Sequence, residues 1–387
     1  MQELTPSQAA SIAANVYALR EHSVSENYER GRVLGCEEMF AVNDNSRFQG
    51  KTGALCFKPL SGFGYIAEGT GQYQGELLIV TRGTAMGYDW LTNFNVGMQI
   101  GAGGHLVHAG FHETWKSFSR DIQEFIRGRN PSGIHCVGHS LGGALATLNA
   151  DYFSANNIGQ VKLYTFGSPR TGSFVFSRSL TERLKAEHIY RVWHPSDPVP
   201  MIPIFPFQHL PHSTKGLAVR NEFSGLINAD AHSMKESYIP AVAGLDWQHL
   251  ASIANPNEDA EVKSWLENAA QNQNGFIKGS AKLLSMIQRA LMWILKKAAL
   301  LLVGAVGTVI AVGATVIDQL AWLLSQAANF SIELAGAVST LVQAIFRFLG
   351  KVISTTVSIT TVFLRWVLDL LFSSVSLIAT SALAIIR

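Results

Sequence analysis

The chain has 387 residues, of which 48% are hydrophobic and 15% are charged. Soluble proteins carry about 25% charged residues, so the composition excludes an ordinary soluble domain of this length. The charge is also unevenly divided: nine lysines and arginines face three acidic residues from Phe276 onward, although the whole chain carries a net charge of only +2. A mildly acidic front joined to a basic, apolar tail indicates a membrane as partner and no nucleic acid.

The N-terminal segment is predicted to be a helix, with Thr5 as its N-cap and Pro6 in its first turn. It has neither the basic nor the apolar region of a signal peptide, so synthesis in the cytoplasm is expected. The three cysteines, Cys36, Cys56 and Cys136, are too few and too irregularly spaced for a disulfide framework or a zinc site. Neither a metal nor a cofactor is therefore expected.

Residues 1–250 alternate short apolar runs with helical patterns, which predicts an α/β sheet covered by helices on both faces. Residues 251–275 are polar and rich in asparagine and are interpreted as a linker. Residues 276–387 are predicted to form an all-α, strongly apolar C-terminal module. The strand-like runs are 76–83, 134–138, 161–167 and 189–194, and the helical ones are 111–128, 141–153 and 176–187.

The C-terminal module begins with an amphipathic segment and continues with apolar runs. Four basic residues fall in one narrow stripe of a helical wheel: Lys278, Lys282, Arg289 and Lys296. Residues 298–317 carry no charge and are long enough to span a bilayer. The later runs, 334–346, 352–364 and 366–386, fit marginal spans, re-entrant hairpins or a buried helical bundle. A membrane-inserting module is the leading interpretation, and a soluble four-helix cap is the alternative.

The sequence GHSLG, residues 138–142, stands between a predicted strand and a predicted helix. A strand–Gly-x-Ser-x-Gly–helix junction forms a nucleophile elbow, in which a strained turn exposes the serine hydroxyl. Ser140 is therefore predicted as the nucleophile, and Gly138 and Gly142 avoid clashes with the neighbouring strand and helix. The N–H of Leu141 is predicted to be one donor of an oxyanion hole. The alternative is a glycine-rich tight turn with an incidental serine.

A serine nucleophile needs a base, and the base needs an acid that fixes its tautomer. Asp197 lies just beyond a predicted strand and is the candidate acid; an Asp-Pro turn initiator is the alternative. His232, at a predicted helix start with polar neighbours, is the candidate base, and His212 is its competitor. Thr84, after a Gly-containing strand end, is the candidate second oxyanion donor, with a simple glycine-centred turn as the alternative.

Six motifs occur in an order and spacing that resemble one known family. They are VTRGT…DWLTN, VHAGFHETW, CVGHSLGGALATLNA, YTFGSPRTG, YRVWHPSDPVPMIP and AHSMKESY. Together they resemble the class 3, fungal lipase-like serine lipases of the α/β-hydrolase fold, over residues 20–240. The resemblance implies an α/β-hydrolase catalytic domain. It also implies a Ser140–Asp197–His232 triad, an oxyanion hole of Thr84 and Leu141, and a lid from Tyr88 to Gln99. The all-α module is predicted from the residues alone, because the resemblance stops before it.

Two apolar segments indicate a lipid substrate. Residues 201–211, MIPIFPFQHLP, form a proline-stiffened loop that a soluble protein rarely leaves exposed. Residues 88–100, YDWLTNFNVGMQI, mix Trp, Phe, Met and Ile, as expected of a mobile cover that opens on an apolar surface. Each segment also fits an ordinary core.

The leading hypothesis is a serine lipid-ester hydrolase, favoured as a phospholipase A over a triacylglycerol lipase, working at a membrane that the tail contacts. The alternative is a membrane-perturbing or pore-forming protein in which the C-terminal helices act and the hydrolase is auxiliary. The domain order is similar to that of bacterial lipase effectors delivered by type VI secretion, which implies a toxin exported to a target cell. A chaperone or immunity protein that masks the apolar tail is then the expected partner.

Overall fold

A computed structural model of the chain describes residues 1–20, 35–36, 38–42, 46–50, 61–83, 97–203, 207–212, 214, 216–219, 227–252, 265, 280–301, 316–352 and 358–384. Thr84, most of the predicted lid and nearly all of the predicted linker lie outside these residues. Residues 302–315, in the middle of the uncharged run, also lie outside them. The division of the chain at residues 250 and 276 therefore stays a prediction.

The chain begins with the predicted helix, α1 (Pro6–Asn15), which starts in a capping box. The Thr5 hydroxyl accepts a hydrogen bond from the Gln8 N–H, and the Gln8 side chain accepts one from the Thr5 N–H. These bonds satisfy amides at the helix start that have no partner within the helix. Pro6 stands in the first turn, where its fixed φ suits a helix. The prediction of this helix start is confirmed.

The strands form two sheets. Those described are β1 (Phe40–Ala41), β2 (Arg47–Gly50), β3 (Ser61–Gly69), β4 (Glu76–Thr81), β5 (Met98–Ile100), β6 (Leu106–His108), β7 (Gly133–His139), β8 (Gln160–Phe166), β9 (Gly172–Ser173), β10 (Ile189–Trp193), β11 (Phe207–Gln208) and β12 (Leu217–Ala218). The main sheet has the order β1-β3-β4-β7-β8-β10-β12, with β2 paired to β3, and it is parallel from β4 to β12. A smaller antiparallel sheet has the order β11-β9-β6-β5.

Helices cover both faces of the main sheet because its strands send alternate apolar side chains to opposite sides. In β4, Leu77 and Ile79 join one buried layer, and Leu78 and Val80 join the other. The first layer is covered by α2 (Ala109–Ile126), α3 (Leu141–Ala155) and α4 (Phe174–Leu184), and the second by α1, α5 (Ile239–Val242) and α6 (Trp247–Ser252). This arrangement confirms the predicted α/β fold.

The C-terminal module contains four described helices that pack as a bundle. They are α7 (Ala281–Leu301), α8 (Val316–Phe330), α9 (Ile332–Phe348) and α10 (Thr361–Ala384). All four contribute to one buried apolar cluster, so their apolar faces meet one another. The prediction of an all-α module is confirmed, and a bundle is the alternative that the structure shows. The last two apolar runs are not separate helices, since residues 361–364 already belong to α10.

Among the described residues, one helix is long and apolar enough to cross a membrane. It is the stretch Thr361–Ser381 of α10, whose most apolar window is 44% buried. A core helix of a soluble protein meets the same criteria.

Candidate active site

Ser140 stands at the sharp turn between β7 and α3. Its φ of 60° and ψ of −135° lie in a region that residues with a side chain rarely adopt, so the turn is strained. The Ser140 N–H donates to the Phe166 carbonyl at 2.9 Å, which ties the turn to β8. Leu141 begins α3, so its N–H lies at the positive end of the helix dipole. The turn has the conformation of a nucleophile elbow.

Gly138 and Gly142 allow β7, α3 and β4 to approach closely at this turn. A Cβ on Gly138 would lie 2.2 Å from the Gly142 carbonyl oxygen, and a Cβ on Gly142 would lie 2.2 Å from the Thr81 carbonyl oxygen. Both obstacles are backbone atoms, which cannot rotate away as a flexible side chain can. The two positions therefore require glycine because of close packing around Ser140.

Ser140, His232 and Asp197 form a continuous chain of hydrogen bonds. His232 Nε2 lies 2.8 Å from Ser140 Oγ, and His232 Nδ1 lies 2.8 Å from Asp197 Oδ2. Asp197 follows the end of β10, and His232 ends a short 3-10 turn, Ala229–His232, so loops bring both side chains to the carboxyl end of β7. All three residues are wholly buried. Nδ1–H donates to the carboxylate, which leaves Nε2 free to accept the serine proton.

The Asp197 carboxylate has two further hydrogen-bond donors. The Tyr238 hydroxyl donates to Oδ2 at 2.6 Å, and the Val199 N–H donates to Oδ1 at 2.8 Å. Burial, together with the neighbouring Asp197 charge, holds the pKa of Tyr238 well above its usual value, so the hydroxyl keeps its proton. Tyr238 ends the AHSMKESY motif, yet its contact with Asp197 carries no signal in the sequence.

Replacing Tyr238 by phenylalanine is expected to lower the free energy of unfolding by about 1.5–3 kcal/mol, because a buried hydrogen bond to a charged group is lost. It is also expected to lower kcat by about tenfold with KM unchanged, since Asp197 then holds His232 less firmly. Urea unfolding and steady-state ester hydrolysis measure the two effects. Tyr152→Phe, a half-buried tyrosine near the C-terminal end of α3, is the matched control. An unchanged kcat in Tyr238→Phe contradicts a role in positioning.

His139 connects the base to the end of β4. Burial and then the nearby His232 hold the pKa of His139 well below its usual value, so its ring is neutral. Its Nε2–H donates to the His232 carbonyl at 2.9 Å, and its Nδ1 accepts from the Tyr17 hydroxyl at 2.9 Å. The Tyr17 oxygen in turn accepts the Gly83 N–H at 3.2 Å. A residue from the N-terminal segment thus links the strand end before Thr84 to His232, a contact that the sequence did not suggest.

The other predicted residues have different positions. Thr84 lies outside the described residues, as do residues 88–96 of the predicted lid. The structure brings His232 to Ser140. The ring of His212 instead packs edge-on against the ring of Phe174, with 4.6 Å between the ring centroids, and the His212 backbone N–H donates to the Thr181 hydroxyl on α4. The catalytic roles of the predicted residues stay predictions.

The apolar loop at 201–211 is not an open lipid-facing surface in its described part. Met201, Ile202, Phe207 and Leu210 are all buried, and the first two belong to the apolar cluster of the C-terminal bundle. The expectation of an exposed substrate loop is therefore corrected here: the described apolar side chains are covered by the protein itself, as in the alternative of an ordinary core.

Comparisons with known proteins match part of the chain to lipases. A family described as Lipase (class 3) matches residues 78–207. A secreted mono- and diacylglycerol lipase 1 of Fusarium solani is 37% identical over 156 residues, which are 38% of this chain and 44% of that protein. A secreted mono- and diacylglycerol lipase A of Penicillium cyclopium is 34% identical over 105 residues, which are 26% of this chain and 33% of that protein.

This chain thus spans less than half the length of either of these two curated relatives. Among solved structures, a lipase from Rhizopus microsporus var. chinensis aligns with 55% of this chain and 72% of its own, at 21% identity and a TM-score of 0.40. The family match includes the Ser140 turn and Asp197. Residues 78–207 match the class 3 lipases, so the resemblance to this family is confirmed for that part of the chain.

Proposed function

We propose that this chain is a serine hydrolase that cleaves carboxylic esters of lipids. The observation that carries the proposal is the chain of hydrogen bonds from Ser140 through His232 to Asp197, on an elbow between a buried strand and a helix. Such a chain activates a serine hydroxyl at neutral pH. The names of the matched relatives, all lipases, support a lipid ester as substrate.

In the proposed reaction, Ser140 Oγ attacks the ester carbonyl carbon while His232 Nε2 accepts its proton. The Leu141 N–H, at the start of α3, stabilises the negative charge that develops on the carbonyl oxygen, and Thr84 is the proposed second donor. The tetrahedral intermediate collapses, His232 returns the proton to the leaving alcohol, and an acyl ester of Ser140 remains. His232 then takes a proton from water, which attacks the acyl carbon, and returns this proton to Ser140 Oγ as the fatty acid leaves. Asp197 stabilises the imidazolium formed in each half.

The proposed substrates are acyl esters of glycerol. The printed names of the matched relatives support monoacylglycerols and diacylglycerols. Phospholipids, with the chain acting as a phospholipase A, are the second substrate class, and triacylglycerols the third. We propose a lipid surface as the place of reaction because α10 carries large apolar side chains on its outer face: Val362 is 79% exposed, Trp366 48% and Leu377 71%.

The experiment is a panel of dispersed diacylglycerol, triacylglycerol and dye-loaded phosphatidylcholine–phosphatidylglycerol vesicles, with released fatty acid and lyso products measured by mass spectrometry. The blank is the same full-length protein after covalent inactivation by a p-nitrophenyl phosphonate. We expect fatty acid from the glycerides, and lyso products that identify any phospholipase A activity and its position. Equal release by the active and inactivated protein contradicts the proposal.

The same vesicles test the second candidate function, which the outward apolar residues of α10 favour. In that function the C-terminal helices perturb the membrane and the hydrolase is auxiliary. Rapid dye loss caused by the inactivated protein supports it, and dye retention argues against it. Export by type VI secretion and an immunity partner stay predictions from the domain order.

A further inference from the structure

The apolar residues that follow Asp197 pack into the C-terminal bundle. Val199, Met201 and Ile202 belong to the same buried cluster as α7, α8, α9 and α10, and not to either layer of the main sheet. Ala229, three residues before His232, also packs against this cluster, and α10 contacts the turn Ala229–His232. The loops that bring the candidate acid and base to Ser140 are therefore both anchored on the bundle.

A buried polar link fixes the bundle in one position on these loops. Gln288 of α7 donates from Nε2 to the Met201 carbonyl at 2.8 Å, and its Oε1 accepts from Arg170 Nη2 at 3.0 Å. The Arg170 N–H donates to the Ile202 carbonyl at 2.9 Å. Burial lowers the pKa of Arg170 to about 10, so it remains a cation at neutral pH. A polar group within an apolar contact costs free energy when it loses its hydrogen-bond partner, so these bonds favour one docked arrangement of the bundle.

The site is closed in this arrangement. Ser140 and His232 are wholly buried, so an ester cannot reach Ser140 Oγ unless part of the chain moves. The α10 helix combines the two properties that such a moving part needs. One of its faces contacts the turn of His232, and its outer face presents Val362, Trp366 and Leu377 to solvent. These three residues fall on one stripe of a helix, since their spacings of four and eleven nearly complete whole turns.

We infer that the C-terminal bundle is an intramolecular inhibitor of the site, which a phospholipid surface displaces through the outer stripe of α10. This inference rests on the proposed hydrolase function. The docked bundle holds the loops of Asp197 and His232 closed over Ser140. Insertion of the outer stripe into lipid moves α10 away from the turn Ala229–His232 and opens a path to Ser140.

The test uses the full chain and measures the rate at which a short-chain p-nitrophenyl phosphonate labels Ser140, with and without phosphatidylcholine–phosphatidylglycerol vesicles. Gln288→Leu removes the two hydrogen bonds that Gln288 makes in the polar link but keeps a helix-forming side chain of similar size. Without vesicles, we expect this variant to be labelled about tenfold faster than the wild type. With vesicles, the wild type is expected to reach a similar rate, and the variant to gain little.

The matched control is Gln343→Leu, at a half-buried glutamine of α9 in the same bundle. Labelling of Gln343→Leu at the wild-type rate supports the inference. Equally accelerated labelling of both variants overturns it, because it indicates a general loosening of the bundle. The inference is also overturned if Gln288→Leu is labelled at the wild-type rate while vesicles still accelerate labelling of the wild type, because another segment then opens the site. If the labelling rates change as the inference expects but no fatty acid is released, the hydrolase proposal is refuted and the inference is not.

A second measurement does not depend on a variant. Hydrogen exchange of the wild-type amides at 229–232 is expected to accelerate on vesicles, because the turn loses its contact with α10. Unchanged exchange there on vesicles that bind the protein overturns the inference.

Discussion

Replacing Ser140 by alanine is expected to lower kcat for ester hydrolysis by about a millionfold, the scale seen when a triad serine is removed. The substitution deletes the attacking oxygen and leaves His232 without a proton to accept. The fold is expected to survive, because the bond from the Ser140 N–H to the Phe166 carbonyl does not involve the side chain. Alanine also meets the same steric cost at φ 60° as serine does.

The measurement is fatty-acid release from diacylglycerol, accompanied by thermal unfolding and vesicle binding. Ser177→Ala is the matched control, since Ser177 is also wholly buried and donates to a backbone carbonyl, that of His209. Near-normal turnover by Ser140→Ala, with phosphonate labelling at another residue, contradicts the assignment of the nucleophile.

Replacing Gly138 by alanine is expected to have the largest effect on stability, a loss of more than about 4 kcal/mol in the free energy of unfolding. The new Cβ would lie 2.2 Å from the Gly142 oxygen, 2.4 Å from the Gly142 carbonyl carbon and 2.8 Å from the Gly143 nitrogen. Relief requires the first turn of α3 to move away from β7, which disrupts the packing of both.

Urea unfolding measures this loss, and Gly133→Ala at the other end of β7 is its control. The three atoms nearest to a Cβ at Gly133 all belong to the Met1 side chain, which is flexible and can move, so we expect a change within about 1 kcal/mol. Equal stability of the two variants contradicts the close approach at the elbow.

Local patterns predicted the elbow because the chemistry and the backbone constraint lie within five consecutive residues. The order of serine, acid and histidine narrowed the partners to Asp197 and two histidines. The choice between His232 and His212 stayed open, since sequence does not encode where a loop ends in space. The donors Tyr17 and Tyr238 escaped prediction for the same reason: the fold brings each to its partner over long sequence separations.

The C-terminal helices could be predicted from the apolar runs, but what their apolar faces contact could not. A helix that faces lipid and a helix that faces another helix have the same composition and periodicity. The loop at 201–211 shows the same ambiguity: its apolar side chains were expected to meet a substrate, and Met201 and Ile202 instead pack on the bundle.

The shared core of the bundle and the catalytic loops also affects folding during translation. Synthesis proceeds from the N-terminus, so the ribosome adds Val199 and Ala229 long before the bundle helices whose apolar cluster they contact. A growing chain can build its main sheet early. The loops of Asp197 and His232 gain their packing partners on the bundle only after α10 has left the ribosome, so the triad is expected to reach its closed geometry after α10 is made.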